Sequence, residues 1–249
     1  MASSKKKIKV KMNQLRKKDI PDIKMELPRW NFFRRVLYLV LSRFISRLFQ
    51  IFYDFEIHGA EIFKDYPEKY PVIVSGNHRS HLDSFFLISS LIAAKRRYVA
   101  FMASGKAMYS NPVFRLVKYG GAFPVFRGKP EPALKYSEIT LRAGQILAIF
   151  PEGQRVKKNE KSEGRTGVAR IIKRTNFEIP VIPFYIHGSA DALAIGGFLP
   201  RFGRKIVVKF GKPLYFKKYA DLPDDYALLR KMTDEIMVEI VLLRKSIQN

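Results

Sequence analysis

Short apolar runs alternate with longer amphipathic segments from residue 53 to the end of the chain. The short runs are rich in β-branched and aromatic residues, which favours strands, and the longer segments have helical spacing. The predicted strands are residues 53–57, 71–75, 98–103, 122–126, 146–150, 180–186 and 205–210. The predicted helices are residues 81–95, 111–119, 131–143, 167–176 and 224–247. This alternation predicts an α/β fold with a largely parallel or mixed sheet of about seven strands flanked by helices.

A different pattern occupies residues 30–53, which contain neither glycine nor proline and predict one long helix. Its longest unbroken apolar run is Val36–Leu41, whereas a membrane span needs about 20 predominantly apolar residues. We expect a polar face that carries Arg35, Ser42, Arg43 and Ser46. The opposite face is expected to carry Phe33, Leu37, Leu41, Phe44, Leu48 and Phe52. Such a helix is typical of the headgroup plane of a membrane, although a helix packed on its own domain with a basic outer face would have a similar pattern.

The charge of the chain strengthens the membrane interpretation. The 249 residues include 46 Lys or Arg and 22 Asp or Glu, a net charge of +24, which predicts an anionic partner such as nucleic acid or a membrane surface. Residues 1–50 alone carry 14 basic and three acidic side chains. We therefore expect residues 1–53 to form a basic, amphipathic, helical membrane-binding segment and residues 54–249 to form the α/β domain. Because no helix-turn-helix, zinc-finger or RNP-type signature is present, we expect no nucleic-acid partner.

The chain contains no cysteine. Disulfides, thiolate catalysis and cysteine-based zinc or iron–sulfur sites are therefore excluded.

The stretch SGNHRSHLDSFF, residues 75–86, follows a predicted strand and admits three interpretations. Ser80 and Asp83 match an S-x-x-D helix-capping pattern, which leaves His78 unexplained. His78, His81 and Asp83 have the ligand types of a zinc site, but no H-E-x-x-H motif is present, and we predict no metal.

The third interpretation is a general base. An imidazole exchanges a proton near neutral pH, and a carboxylate on its other nitrogen fixes the tautomer and stabilises the imidazolium. The five-residue separation of His78 and Asp83 allows the chain to fold back and bring the two side chains together. Since neither a G-x-S-x-G motif nor a cysteine is present, the nucleophile is expected to be a substrate hydroxyl that attacks a carbonyl.

Four segments resemble, in order, the motifs of the glycerolipid acyltransferases. They are NHRSHLD (77–83, resembling N-H-x-x-x-x-D), GGAFPVFRG (120–128, resembling G-x-x-F-x-x-R), FPEGQR (150–155, resembling F-P-E-G-T-R) and VIPFYI (181–186, resembling the V-I-P strand). One such motif arises by chance, but four in the family's order are a specific signal. The resemblance covers about residues 71–213.

The resemblance implies transfer of an acyl chain from an acyl thioester to the free sn-2 hydroxyl of 1-acyl-glycerol-3-phosphate, which gives phosphatidic acid. His78 would be the general base and Asp83 would orient it. The glycerol phosphate would be positioned by Arg127, Glu152, Gly153 and Arg155. Because an arginine fork matches phosphate and Glu152 would repel it, the expected partner of Glu152 is a hydroxyl or an arginine. Lys106, in the loop 104–110, is a further phosphate candidate by its charge.

The expected partners are lysophosphatidic acid, an anionic membrane surface, and a thioester of acyl carrier protein or coenzyme A. No bound cofactor is expected, and the expected location is the cytoplasmic face of the cell membrane, as a peripheral or monotopic protein. Two departures from the family pattern, Gln154 in place of threonine and Val156 in place of serine, put substrate preference in doubt. A different lysophospholipid or glycerol phosphate as acceptor, hydrolysis, and non-catalytic binding of anionic lipid or nucleic acid therefore remain alternatives.

Overall fold

A seven-stranded sheet forms the centre of the molecule. The computed structural model describes residues 32–67, 70–95, 98–110, 121–157, 160, 162–197 and 199–248. The strands are β1 (Asp54–His58), β2 (Val72–Gly76), β3 (Val99–Ser104), β4 (Ala122–Val125), β5 (Ile146–Ile149), β6 (Val181–His187) and β7 (Lys205–Phe210). Their order in the sheet is β1-β7-β6-β2-β5-β3-β4, and β6–β7 is the one antiparallel pair among them. The predicted α/β fold with a mixed sheet is confirmed, and every predicted strand lies within one residue of its observed bounds.

Helices cover both faces of the sheet. They are α1 (Phe32–Phe52), α2 (Asp83–Lys95), α3 (Gly105–Ser110), α4 (Glu131–Arg142), α5 (Gly167–Arg174), α6 (Ser189–Ala192) and α7 (Tyr226–Gln248), with 3-10 turns at Ala60–Asp65 and Lys217–Tyr219. The predicted helix at residues 111–119 lies outside the described residues. The short helices α3 and α6 and the two 3-10 turns had no periodic signal in the sequence, because one or two turns do not establish a repeat.

The core is divided by the sheet into two layers. Ile73 of β2 packs in a cluster with side chains of α4, α5 and α7, whereas Val72 and Val74 pack in a second cluster on the opposite face, with α2 and the end of α1. Successive side chains of a strand point to opposite faces, so a strand buried on both sides has a continuous apolar sequence. This explains why β2, which is fully buried along its length, carries the run VIVSG.

Helix α1 packs against α2 through residues that the sequence pattern placed on its polar face. Ser42 and Ser46 are buried, whereas Phe44, on the predicted apolar face, is exposed. The polar-face prediction was wrong for the two serines, whose hydroxyls bond to backbone carbonyls: Ser42 Oγ donates to the carbonyl of Tyr38, and Ser46 Oγ to that of Ser89 in α2. Small serine side chains also let two helices approach closely.

No helix in the described part of the chain combines the length and the hydropathy that a bilayer crossing needs. Residues 1–31 lie outside the described residues, so the division of the chain at residue 53 stays a prediction.

Candidate active site

The predicted functional side chains lie along one edge of the sheet. His78 follows β2, Glu152 follows β5, Lys106 follows β3 and Arg127 follows β4, and these four strands are parallel neighbours in that order. The carboxyl ends of parallel strands meet at the same edge, where α/β proteins bind ligands. With about 4.8 Å between strands, the row spans roughly 14 Å from β2 to β4.

His78 and Asp83 are brought into direct contact at this edge. The distance from His78 Nδ1 to Asp83 Oδ2 is 2.9 Å. Asp83 is the first residue of α2 and is fully buried, while 20% of the His78 side chain is exposed. Because a carboxylate accepts hydrogen bonds, Nδ1 is the donor in this contact, and in the neutral form of the ring Nε2 holds the lone pair. The imidazole can therefore accept a proton from a group at the surface.

The chain wraps around the same carboxylate oxygen. Asp83 Oδ2 also accepts from the backbone N–H of Arg79 at 2.6 Å and of Ser80 at 2.7 Å, while Ser80 Oγ accepts from the backbone N–H of Leu82 at 3.2 Å. The bond from Ser80 N–H to the Asp83 carboxylate is one half of a capping box, while the Ser80 hydroxyl caps Leu82 instead of Asp83. The capping and dyad interpretations are thus compatible, because one carboxylate both begins the helix and orients the imidazole.

Phe150, at the end of β5, fixes the plane of the His78 ring. The two rings are stacked at a centroid distance of 4.2 Å and an interplanar angle of 15°. Phe184 of β6 packs edge-on against Phe150 at 6.0 Å. The ring is therefore held by an in-plane hydrogen bond and by an apolar face. This contact was not predicted, since a motif names the phenylalanine but not its orientation.

Asn77 ties the loop after β2 to the neighbouring strand β6. Its Nδ2 donates to the carbonyl of Ile186 at 3.0 Å, and its Oδ1 accepts from the N–H of the same residue at 2.7 Å. The buried amide continues the pattern of strand pairing for one residue beyond the end of β2. It fixes the backbone immediately before His78.

Glu152 bonds to the protein itself. Its Oε2 accepts from the backbone N–H of His78 at 2.8 Å, and its Oε1 lies 3.4 Å from Nη2 of Arg79. Burial raises the pKa of the Glu152 carboxyl because desolvation disfavours the anion, while the positive charge of Arg79 and the His78 N–H oppose that shift. The arginine expected beside Glu152 is thus Arg79, a residue that the sequence analysis did not assign to the site.

Arg79 joins the loop after β2 to the loop after β5. Its Nη1 donates to the carbonyls of Lys157 at 2.6 Å and Glu160 at 3.2 Å. The N–H of Val156 donates in turn to the carbonyl of His78 at 2.9 Å. We call this set of bonds, together with the Arg79–Glu152 pair, the interloop clasp. It holds the segment that carries Arg155 against the segment that carries His78.

Gly153 lies in a tight turn between Phe150 and Arg155. Its φ is +65°, a conformation that favours glycine, and its N–H donates to the carbonyl of Phe150 at 2.9 Å. A Cβ atom here would lie 2.6 Å from Cδ of Arg165. The turn therefore accounts for the glycine in FPEGQR; its predicted contact with substrate stays a prediction.

The three predicted phosphate-binding cations differ in their surroundings. Arg155 is half-buried, and burial lowers the pKa of its guanidinium while the charge of Asp83 opposes the shift. Partial desolvation and the positive charge of Arg155 also lower the pKa of His81, which favours the neutral imidazole. Lys106 and Arg127 are exposed near the ends of β3 and β4. Of the three, Arg155 is in the loop after β5, the strand that pairs with β2, which His78 follows.

Two interpretations of the sequence need correction. Three residues separate Phe123 from Arg127, one more than the quoted pattern G-x-x-F-x-x-R requires, so this motif matches only loosely. The zinc interpretation finds no support, since the residues described contain no cluster of three or more His, Asp or Glu side chains that could hold a metal ion.

A protein-family model matches the part of the chain that contains this site. The model of the family described as Acyltransferase matches residues 54–187, a range that contains every residue assigned to the site above.

Two curated relatives carry the name probable 1-acyl-sn-glycerol-3-phosphate acyltransferase. The protein from Mycoplasma genitalium is 26% identical over 153 residues, which cover 60% of this chain and 56% of the relative. The protein from Mycoplasma pneumoniae is 25% identical over 139 residues, which cover 53% and 52%. The chain thus spans about half the length of the curated relatives that it matches.

The fold also has a counterpart among solved structures. The crystal structure of the 1-acyl-sn-glycerophosphate (LPA) acyltransferase PlsC from Thermotoga maritima superposes with a TM-score of 0.59 at 22% identity, covering 84% of this chain and 81% of that one. At this identity the likeness shows a shared α/β fold.

Proposed function

Because this chain belongs to the acyltransferase family, we propose that it transfers an acyl chain from an acyl thioester to the sn-2 hydroxyl of 1-acyl-glycerol-3-phosphate. The product is phosphatidic acid. Two relatives named for this acceptor support the proposal. The observation that carries it is the 2.9 Å hydrogen bond between His78 and Asp83, at the sheet edge where the family's motif residues meet.

His78 acts as the general base in this proposal. Its Nε2 takes the proton of the sn-2 hydroxyl as that oxygen attacks the thioester carbonyl, and Asp83 stabilises the imidazolium that results. The tetrahedral intermediate collapses with cleavage of the carbon–sulfur bond, and the proton passes from the imidazolium to the departing thiolate. Atoms and charge balance without a covalent acyl-enzyme.

The phosphate of the acceptor is held by Arg155. In the acceptor only C2, C3 and an ester oxygen separate the sn-2 oxygen from the phosphorus, so the phosphate must lie within about one strand spacing, ~5 Å, of the reacting hydroxyl. Arg155 follows the neighbouring strand and interacts electrostatically with Asp83, which supports this assignment, and a guanidinium matches phosphate with two parallel hydrogen bonds. Arg127 and Lys106, farther along the row, supply longer-range attraction to the same anion or to the thioester carrier.

Glu152 and Gly153 act through the shape of the loop. Glu152 fixes the His78 backbone and keeps the interloop clasp together, and the turn at Gly153 presents Arg155 toward the imidazole. Both residues then contribute to substrate binding by positioning His78 and Arg155, which agrees with their place in the motif.

The reaction takes place at the cytoplasmic face of the membrane, and the protein docks there through residues 1–53 as a peripheral or monotopic protein. The chain's charge of +24 favours an anionic surface, and α1 presents Val40, Phe44 and Ile51 outward. The acyl donor is a thioester of acyl carrier protein or of coenzyme A; both are anionic, and the charge of the chain suits either.

The proposal is tested by measuring phosphatidic acid formed by the full-length protein from several lysophospholipids with each thioester. We expect His78→Ala to lower kcat by about 10²–10⁴-fold, the usual contribution of general acid–base catalysis. His58→Ala, at an exposed residue of β1, is the matched control and should leave kcat unchanged. A folded His78→Ala variant with near-native turnover would show that the base is misassigned. Release of free fatty acid without phosphatidic acid would indicate a hydrolase instead.

A further inference from the structure

The segment between α6 and β7 exposes large apolar side chains to solvent. We call residues 193–197 and 199–204 the apolar loop. Leu199 is 84% exposed and Phe202 is 59% exposed. The backbone of the loop is nevertheless closed at its base, because the N–H of Arg201 donates to the carbonyl of Ala192 at 2.7 Å and the N–H of Asp54 donates to the carbonyl of Arg204 at 3.2 Å. The exposed side chains therefore stand on an anchored scaffold.

The apolar loop continues the outer face of α1. The ring of Phe202 lies 4.8 Å from that of Phe52 and 5.9 Å from that of Tyr53, and the N–H of Gly203 donates to the carbonyl of Phe52 at 2.8 Å. Ile51, beside Phe52, is 74% exposed. Two parts of the chain that are far apart in sequence thus form one apolar surface.

The charged side chains of α1 and of the apolar loop are all positive. Exposed arginines flank the apolar side chains on both elements: Arg43, Arg47, Arg201 and Arg204. Neither α1 nor the apolar loop contains an aspartate or glutamate. Exposed apolar side chains on two elements whose own charged residues are all cationic match a bilayer surface with anionic headgroups, where the apolar groups reach the acyl boundary and the cations stay at headgroup level.

The apolar loop is also bonded to the active-site loop. It begins at Leu193, whose carbonyl accepts from Ser80 Oγ at 2.8 Å, and the backbone N–H of Ser80 donates to Asp83. A lipid surface held against the apolar loop would therefore lie beside the loop that carries His78.

We propose that the apolar loop is a second membrane-docking element, which inserts Leu199 and Phe202 into an anionic lipid surface together with the outer face of α1. This inference rests on the proposed action at a membrane and adds to it a specific surface outside residues 1–53. A protein docked through one helix alone could rotate about the axis of that helix. Docking through both elements prevents this rotation and fixes the orientation of the active-site edge toward the lipid.

The test is co-sedimentation of the full-length protein with vesicles of phosphatidylglycerol and phosphatidylcholine. We expect Leu199→Ser/Phe202→Ser to weaken vesicle binding by about tenfold or more, since burial of one such side chain contributes roughly that factor. Leu199→Ser alone, at the most exposed residue, should weaken binding without a change in thermal unfolding. The matched control is Val241→Ser/Leu242→Ser, a half-exposed apolar pair on α7, which covers the opposite face of the sheet; its binding should equal that of the wild type.

Several results would overturn the inference. One is native binding by the double loop variant; another is an equal loss in the α7 control, which would indicate a general effect of lowered hydrophobicity. Loss of self-association in the loop variant, with unchanged vesicle binding, would assign the surface to a second copy of the chain. Acyl transfer to a short-chain lysophosphatidate below its micelle concentration separates this inference from the proposed function, because loop variants should retain it and His78→Ala should not.

Discussion

Arg79 is the residue whose replacement tests the interloop clasp most directly. Its guanidinium holds two carbonyls of the loop after β5 and faces Glu152. Arg79→Met keeps the aliphatic stem and its packing while removing every polar contact of the head group. The variant therefore isolates the clasp from the apolar core.

The magnitude follows from burial. The side chains of Arg79 and Glu152 are 10% and 4% exposed, so solvent screens their interaction weakly. Removing one partner of a buried ion pair costs about 3–5 kcal/mol, because the other charge stays desolvated. Glu152 can take up a proton, which limits the loss, and the carbonyls of Lys157 and Glu160 belong to exposed residues that water can reach. We therefore expect a loss of about 3 kcal/mol in the free energy of unfolding, the lower end of the range.

Urea unfolding of Arg79→Met, Glu152→Gln and the double variant gives the measurement. Because the two side chains are partners, the double variant should lose less than the sum of the single losses, with a coupling of about 1–3 kcal/mol. Arg170→Met, at an exposed arginine of α5, is the control and should change stability by less than about 0.5 kcal/mol. In kinetic assays Arg79→Met should raise KM for lysophosphatidate, since Arg155 is no longer held in place. A coupling near zero, or a loss below about 1 kcal/mol, would refute the clasp.

The remaining predictions concern the pH dependence of the clasp and the packing beneath it. Since the folded-state pKa of Glu152 lies above its ordinary value of 4.5, the stability that its proton contributes is present below that pH and is lost as the pH rises through the raised pKa. Glu152→Gln does not titrate, so its unfolding free energy relative to wild type should increase from about pH 4.5 upward, and a difference that stays constant with pH would contradict this. Gly76→Ala places a Cβ 2.4 Å from the ring of Phe184 and should cost about 1–3 kcal/mol in thermal unfolding, whereas Gly167→Ala, with open space around it, should be neutral or stabilising. Asn77→Ala loses both hydrogen bonds to β6 and should destabilise by about 2–3 kcal/mol; a loss below about 0.5 kcal/mol would show that water replaces the amide.

The strands were the most predictable part of the molecule. Buried parallel strands such as β2 and β5 must be apolar on both faces, so their apolar sequences are continuous and their bounds are sharp. The contact between His78 and Asp83 was also predictable, since five residues at a strand-to-helix turn leave the chain few other paths.

Contacts between segments that are distant in sequence could not be predicted from the pattern of apolar and polar residues. Arg79 lies within the motif stretch, yet its partners are about 75–80 residues away, and nothing local distinguishes it from the many basic residues of this chain. The buried face of α1 was missed for a related reason. Periodicity ranks Ser42 and Ser46 as polar, whereas their burial depends on the close approach of α2, which only the tertiary structure defines.

The pairing of β1 with β7 has a consequence for how the molecule is made. β1 directly follows α1, but its only sheet neighbour among the described strands is β7. At a synthesis rate of roughly 5–20 residues per second, the ribosome needs about 7–30 s to reach β7 after it has completed β1. During that interval the amphipathic α1 emerges from the exit tunnel, while β1 has no strand to pair with. A nascent chain of this kind can bind a lipid surface before its α/β domain has folded, so membrane binding would come before completion of the sheet.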